Sequence, residues 1–70
     1  MSMRDTACAC MADLDRKDAA YQVRIYANGI LEQPQDVLDS GFSCLVTKDA
    51  FGQTVMWEWA QITAITLVLV

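Results

Sequence analysis

The chain has 70 residues, with nine acidic and five basic side chains, no histidine and a net charge of −4. We expect residues 1–70 to form one domain with a small core, since chains of about 60 residues bury only about 60% of their unfolded surface. Association with other chains is the usual way to bury more. The acidic balance excludes a broad positive surface for nucleic acid, so any such binding must be local or weak.

The termini and the cysteines indicate the compartment. No apolar run approaches the roughly 20 residues of a membrane-spanning helix, and the N-terminus lacks the continuous apolar segment of a signal peptide. The three cysteines, Cys8, Cys10 and Cys44, are an odd number, which argues against a disulfide framework. Without histidine, a four-ligand zinc site cannot be built from one chain's thiols. We therefore expect a cytoplasmic protein with packed thiols, no metal and no cofactor.

An amphipathic helix is predicted over about residues 3–18. Ser2 followed by Asp5 is typical of a helix N-terminus, because the hydroxyl can cap the backbone and the carboxylate favours the helix dipole. Apolar side chains recur at three- and four-residue spacing. They are Met3, Ala7, Cys10, Met11 and Leu14. This stripe could be a partner-binding face, but its spacing favours packing in the core.

Five strands are predicted over about residues 20–70. Residues 21–27 alternate apolar and polar side chains, and Asn28-Gly29 suits a type I′ hairpin turn. The return strand, about residues 30–38, contains Pro34, which belongs at an edge or a bend because it cannot donate to a ladder. Consecutive strands that are joined by such short connections must pair antiparallel with each other. We expect a mainly β fold, a small bent five-stranded antiparallel sheet or open barrel with the helix over one end.

The last seventeen residues, from Thr54 to Val70, need external cover. Val55, Trp57 and Trp59 alternate with more polar neighbours, whereas the segment 62–70 is apolar on both faces except for two threonines. A strand that is apolar on both faces needs cover on both. We therefore expect another copy of the chain to pair with these strands.

Three segments, residues 25–30, 38–46 and 60–66, resemble the Sm-like family, which includes the Sm and LSm proteins and bacterial Hfq. Residues 25–30 look like the first hairpin of bacterial Hfq. Residues 38–46 are similar to the family's first motif, an apolar residue, aspartate, two variable positions and usually asparagine, with Ser43 at the asparagine position. Residues 60–66 are similar to the end of the second motif, where the fourth strand turns into the fifth. The resemblance covers about residues 21–67 and implies an SH3-type barrel.

The resemblance also implies a homo-oligomeric ring in which the fourth strand of one copy pairs with the fifth strand of the next. The expected interface residues are Val55, Trp57, Ile62, Ala64, Ile65 and Leu67. In the family, RNA lies at the inner rim between two loops. The corresponding RNA-binding residues are Asp39, Phe42, Ser43, Trp59 and Gln61, with Glu58 and Ala60 beside them.

The chemistry of these residues supports RNA binding only in part. Phe42 or Trp59 could stack a base, and Asp39, Ser43 or Gln61 could hydrogen-bond to a base edge. Glu58, however, stands near the position of a basic residue in the family, and a ring of such carboxylates repels phosphate. Trp57 and Trp59 could also be core or interface residues.

Two functions follow. The first is a ring that binds single-stranded, uridine-rich RNA in RNA metabolism or riboregulation, with its own copies and RNA as partners and with no DNA or membrane. The second is an acidic ring that serves as an assembly or protein-interaction scaffold with little RNA affinity. No enzyme is expected, because a nucleophile beside a base and a glycine-rich phosphate loop are both absent. Asp13, Asp15, Asp36 and Asp39 could hold a divalent cation, but their scattering is typical of a solvated surface.

Overall fold

The structure is a computed structural model that describes residues 2–70. It contains one α-helix, six strands and one 3₁₀ turn. These are α1 (Met3–Arg16), β1 (Tyr21–Ala27), β2 (Ile30–Leu31), β3 (Asp36–Ser40), β4 (Cys44–Lys48), β5 (Thr54–Glu58), the 3₁₀ turn (Trp59–Gln61) and β6 (Ile62–Leu69). The prediction of a mainly β fold with an N-terminal helix is confirmed. No helix within residues 2–70 is long and apolar enough to cross a membrane.

The helix begins as the sequence predicts but ends earlier. The Ser2 hydroxyl accepts a hydrogen bond from the Asp5 backbone N–H at 3.2 Å, which is a helix N-cap. At the other end Asp18 adopts a φ of +53°, and its N–H donates to the Asp15 carbonyl at 3.1 Å. The Ala19 N–H donates to the Leu14 carbonyl at 3.0 Å, which completes a Schellman motif. The helix therefore stops at Arg16 instead of near residue 18.

One face of α1 packs on the strands. Ala7 and Met11 are buried, and Met3 and Cys8 pack partly against the same core. The predicted stripe is correct at Ala7 and Met11, which lie one turn apart on the helix. Cys10 was predicted within the stripe but is exposed.

The return strand is where the strand count differs from the prediction. Asn28 and Gly29 have φ values of +55° and +77°, as a type I′ turn requires, and the turn leads into the two-residue strand β2. Pro34 then lies in the gap between β2 and β3, because it has no N–H for a ladder. The prediction of five strands is not confirmed. The six strands form two three-stranded antiparallel sheets, and no closed barrel is present within residues 2–70.

The two sheets meet at Gln35. One sheet has the order β2-β1-β6 and the other the order β3-β4-β5. The Val23 N–H donates to the Gln35 carbonyl at 2.9 Å, and the Gln35 N–H donates to the Val23 carbonyl at 2.8 Å. This bridge places the start of β3 beside β1. The strands therefore follow one another from β6 through β1 and the interrupted return strand to β4 and β5.

The core is shared by the helix and both sheets. Its buried apolar residues are Ala7, Met11, Val23, Ile25, Ala27, Leu45, Trp59 and Ile62. Two buried polar side chains lie beside them, Gln35 and Thr47. The Thr47 hydroxyl donates to the Gln35 side-chain carbonyl and accepts from the Trp57 indole N–H at 3.0 Å. Both buried polar groups therefore have partners, as burial requires.

The outer strands β5 and β6 each have one free edge. Within residues 2–70, β5 pairs with β4 alone and β6 pairs with β1 alone. The two strands do not pair with each other. Their outer edges therefore leave backbone donors and acceptors without a strand partner.

Candidate nucleic-acid interface

Hydrogen bonds hold together the two loops that the sequence predicts to form the site. One is the connection between β3 and β4, which contains Phe42, and the other is the 3₁₀ turn after β5. The Trp59 backbone N–H donates to the Ser43 carbonyl at 3.4 Å. The Trp59 indole N–H donates to the Gly41 carbonyl at 3.1 Å. Trp59 therefore ties the second loop to the first at two points.

Trp59 itself is a core residue. It is only 9% exposed and belongs to the buried apolar cluster. A stacking base needs an open ring face, so this burial favours the packing role over the base-stacking role that was predicted for Trp59. The alternation of Val55, Trp57 and Trp59 in the sequence is compatible with both roles, because it does not show which face of the predicted strand meets the core.

Phe42 is the exposed aromatic side chain of the site. It is 80% exposed, and the guanidinium carbon of Arg4 lies 4.1 Å from its ring centroid. Arg4 Nη1 also donates to the Phe42 backbone carbonyl at 3.1 Å. The contact is a cation–π pair with an added hydrogen bond, and it anchors the loop to α1.

Asp5 partly neutralises Arg4. The Arg4 Nη2 and Nε atoms lie 3.1 and 3.3 Å from Asp5 Oδ1. The hydrogen bond from Arg4, followed by that from Ser2, lowers the pKa of the Asp5 carboxyl below its ordinary value. Arg4 brings a planar guanidinium to the Phe42 loop, a group that suits phosphate recognition. The pair spans 38 residues of sequence, and no local pattern predicts it.

A groove lies beside this loop, at the junction of β4, β5 and the 3₁₀ turn. It is open and has a volume of about 610 Å³, which is within the range of small-ligand sites. Its lining residues are Ser43, Cys44, Met56, Glu58, Ala60 and Gln61. The structure thus brings Ser43 and Gln61 to one groove, as the family resemblance implied, and Glu58 lies in the same groove.

Asp39 lies outside this groove. It is exposed on β3, where it pairs with Val46 of β4 across a register shift. The predicted RNA-binding residues therefore separate into four places, and the first is the core, where Trp59 is buried. Ser43 and Gln61 line the groove, Phe42 lies on the loop with Arg4, and Asp39 lies on the neighbouring strand.

The predicted interface residues lie on β5 and β6 but differ in burial. Val55 and Trp57 of β5 are half-buried, and so are Ile65 and Leu67 of β6, whereas Ala64 is exposed. Ile62 is buried inside its own chain. Ala64, Ile65 and Leu67 line an open groove between β6 and α1 together with Met3, Ala7 and Cys10. The free edge of β6 therefore lies beside an apolar groove.

The thiols and carboxylates do not combine into a metal centre. Within residues 2–70, no group of three or more cysteine, aspartate or glutamate side chains is arranged to hold a metal ion. Cys8, Cys10 and Cys44 are all free thiols. The site is therefore described by its loops, its groove and its charges.

Comparison of the chain with protein-family models, with curated proteins and with solved structures finds no match. The resemblance to the Sm-like family consequently depends on the three sequence segments given above, in their order and spacing along the chain.

Proposed function

We propose that this chain is an Sm-like subunit that assembles with its own copies into a ring and binds single-stranded, uridine-rich RNA at the inner rim. The observation that carries the RNA-binding part is the exposed Phe42 ring, paired with Arg4 and adjoining the groove of Ser43 and Gln61. In this proposal the protein acts in the cytoplasm, in RNA metabolism or riboregulation. Three free thiols are consistent with that reducing compartment.

The strand order supports assembly into a ring. The strands run from β6 through β1 and the bend at Gln35 to β4 and β5, with free edges at both ends. The β5 edge of one copy can pair with the β6 edge of the next, which is a heterologous contact of the kind that forms a ring when the rotation between neighbours closes. The exposed side chain of Ala64 on β6 would lie at that contact.

The chemistry of the loops supports RNA as the ligand. Stacking of one base on an aromatic ring contributes about 1–3 kcal/mol. Ser43 and Gln61 can hydrogen-bond to base edges, by which single-stranded RNA is recognised. Arg4 supplies the cation that the second family motif lacks here, since Glu58 occupies that region. The helix therefore contributes to RNA binding in this proposal.

The net charge favours a second function. A chain with a net charge of −4 and Glu58 in the groove repels phosphate, which would leave a ring with little RNA affinity. Such a ring would serve as an assembly or protein-interaction scaffold. The two functions share the fold and the ring, and they differ in their affinity for RNA.

Light scattering and fluorescence anisotropy test the proposal. Light scattering on the purified full chain gives the mass of the assembly, and we expect a ring of several copies. Anisotropy with labelled oligouridine at low and high salt gives RNA affinity, which we expect to fall as salt rises. Phe42→Ala should weaken binding by about tenfold or more, because a stacking surface is lost.

Phe51 provides the matched control. It is 89% exposed on the β4–β5 connection and lies outside the Ser43–Gln61 groove, so Phe51→Ala should leave the affinity unchanged. Equal affinities of the Phe42→Ala variant and the unmodified chain would overturn the assignment of the site. A ring that binds no oligouridine at low salt would favour the scaffold function instead. A single-chain mass would overturn the ring.

A further inference from the structure

Glu58 is a carboxylate without a partner in the groove. It is exposed at the end of β5, opposite Cys44 of β4, and it lines the groove with Ser43 and Gln61. Within residues 2–70, no side chain forms a salt bridge or a hydrogen bond with it. Its two oxygen atoms are therefore free to accept hydrogen bonds from a ligand.

An ionised carboxylate selects among nucleobases, because it can only accept hydrogen bonds. Guanine presents two adjacent donors on its Watson–Crick edge, the N1–H and the N2 amino group, which match the two oxygens of a carboxylate. Uracil presents a single N3–H between two carbonyl groups, and those carbonyls would face the carboxylate unfavourably. Glu58 therefore fits guanine better than uracil.

The other groove residues complement the rest of a guanine base. Ser43 carries a hydroxyl and Gln61 an amide, and each offers a donor for a base acceptor such as the guanine O6 carbonyl. Met56, which is 72% exposed, provides an apolar surface for the plane of the base. The groove thus combines an acceptor pair, two donor side chains and an apolar wall.

We propose that this groove is a guanine subsite and that Glu58 makes it select guanine over uracil. The inference rests on the proposed RNA binding and refines it, since it replaces a uniform uridine preference with a guanine at one position of the bound strand. In this arrangement the Arg4 guanidinium at the Phe42 loop attracts the phosphates of the strand.

The test compares two labelled oligomers by fluorescence anisotropy on the full chain. One is an oligouridine, and the other is the same oligomer with a single guanosine, which cannot form a quadruplex within one strand. We expect the guanosine oligomer to bind about tenfold more tightly, since a bidentate contact gives discrimination of this order. An oligomer with inosine, which lacks the N2 amino group, should bind with intermediate affinity.

The variant Glu58→Gln tests the residue. A glutamine offers one acceptor and one donor, so the guanosine preference should disappear, while oligouridine should bind at least as tightly because a negative charge is removed. Glu32→Gln is the matched control, since Glu32 is the other glutamate of the chain and lies between β2 and β3, outside the groove. This control removes the same charge and should keep the preference.

Three outcomes would overturn the inference. If the unmodified chain binds both oligomers equally, the guanine subsite is wrong and the proposed RNA binding stands. If it binds neither oligomer, both proposals are wrong. If Glu58→Gln keeps the guanosine preference, another residue selects the base. The comparison of oligomers on the unmodified chain remains decisive even if the variant fails to fold.

Discussion

The central strands β1 and β4 differ sharply from the outer strands β5 and β6. In the central pair, Val23, Ile25, Leu45 and Thr47 are fully buried. In the outer pair, β5 buries none of its residues and β6 buries only Ile62. The core of the single chain is thus built on its central strands, and its outer strands remain half-covered. This difference supports the view that a second copy completes the outer strands.

The largest expected effect is a loss of assembly when the free edge of an outer strand is changed. Ala64→Lys places a charge on the exposed side of β6, and lysine on an edge strand opposes pairing with another strand. We expect the mass measured by light scattering to fall from that of a ring to that of single chains. The circular dichroism spectrum should keep its β signal, because the core does not include Ala64.

Ala12→Lys is the control for this variant. Ala12 is exposed on α1, so the same charge is added on a helix away from the strand edge. The control should keep the full mass. A ring that persists in Ala64→Lys would show that the β6 edge is not the contact between copies.

The next largest effect is expected at Thr47, which lies on β4, the central strand of the β3-β4-β5 sheet. Thr47→Val keeps the size and branching of the side chain but removes the hydroxyl that joins Gln35 and Trp57. Because buried polar groups then lose their partners, the free energy of unfolding should fall by about 1–3 kcal/mol. Urea unfolding at one fixed protomer concentration measures this change, since assembly contributes to apparent stability.

The matched substitution is Thr6→Val, at an exposed threonine of α1 that borders the groove beside β6. It should change the free energy of unfolding by no more than about 0.5 kcal/mol. Similar losses in both variants would mean that the buried hydroxyl of Thr47 adds nothing beyond an ordinary surface threonine.

The smallest expected change in the free energy of unfolding concerns the connection between α1 and β1. This connection belongs neither to the central strands nor to the outer strands. Asp18 occupies the left-handed region with a φ of +53°, where glycine has no steric penalty. Asp18→Gly should raise the free energy of unfolding by about 0.5–1 kcal/mol, and Asp18→Ala should lower it. Thermal unfolding measures both. Changes of the same sign in the two variants would contradict the backbone explanation, and neither variant should alter the mass of the assembly.

Local features of the fold could be predicted well. The N-cap at Ser2 and the type I′ turn at Asn28-Gly29 depend on residues within a few positions of each other. Pro34 marked the return strand as irregular, but whether it bends or breaks a strand depends on the pairing around it. The break into β2 and β3 follows from the bridge between Val23 and Gln35, which are distant in sequence.

The candidate site also combines features that the sequence predicts with features that it does not. The resemblance to the Sm-like family selected Ser43 and Gln61, and both line one groove. The contact of Arg4 with Phe42 could not be predicted, because the docking of α1 determines it. The burial of Trp59 was equally undetermined, since an alternating strand does not reveal which face meets the core.

Features that depend on near neighbours along the chain can therefore be predicted from its sequence alone. They include the helix cap, the hairpin turn and the alternation of side chains along the strands. The composition adds the sign of the net charge. The position of Arg4 over Phe42, the link from Thr47 to Gln35 and the free edges of β5 and β6 arise only when distant segments pack. The physical reason is that caps, turns and side-chain periodicity depend on residues a few positions apart, whereas burial and long-range hydrogen bonds depend on every segment that reaches the core.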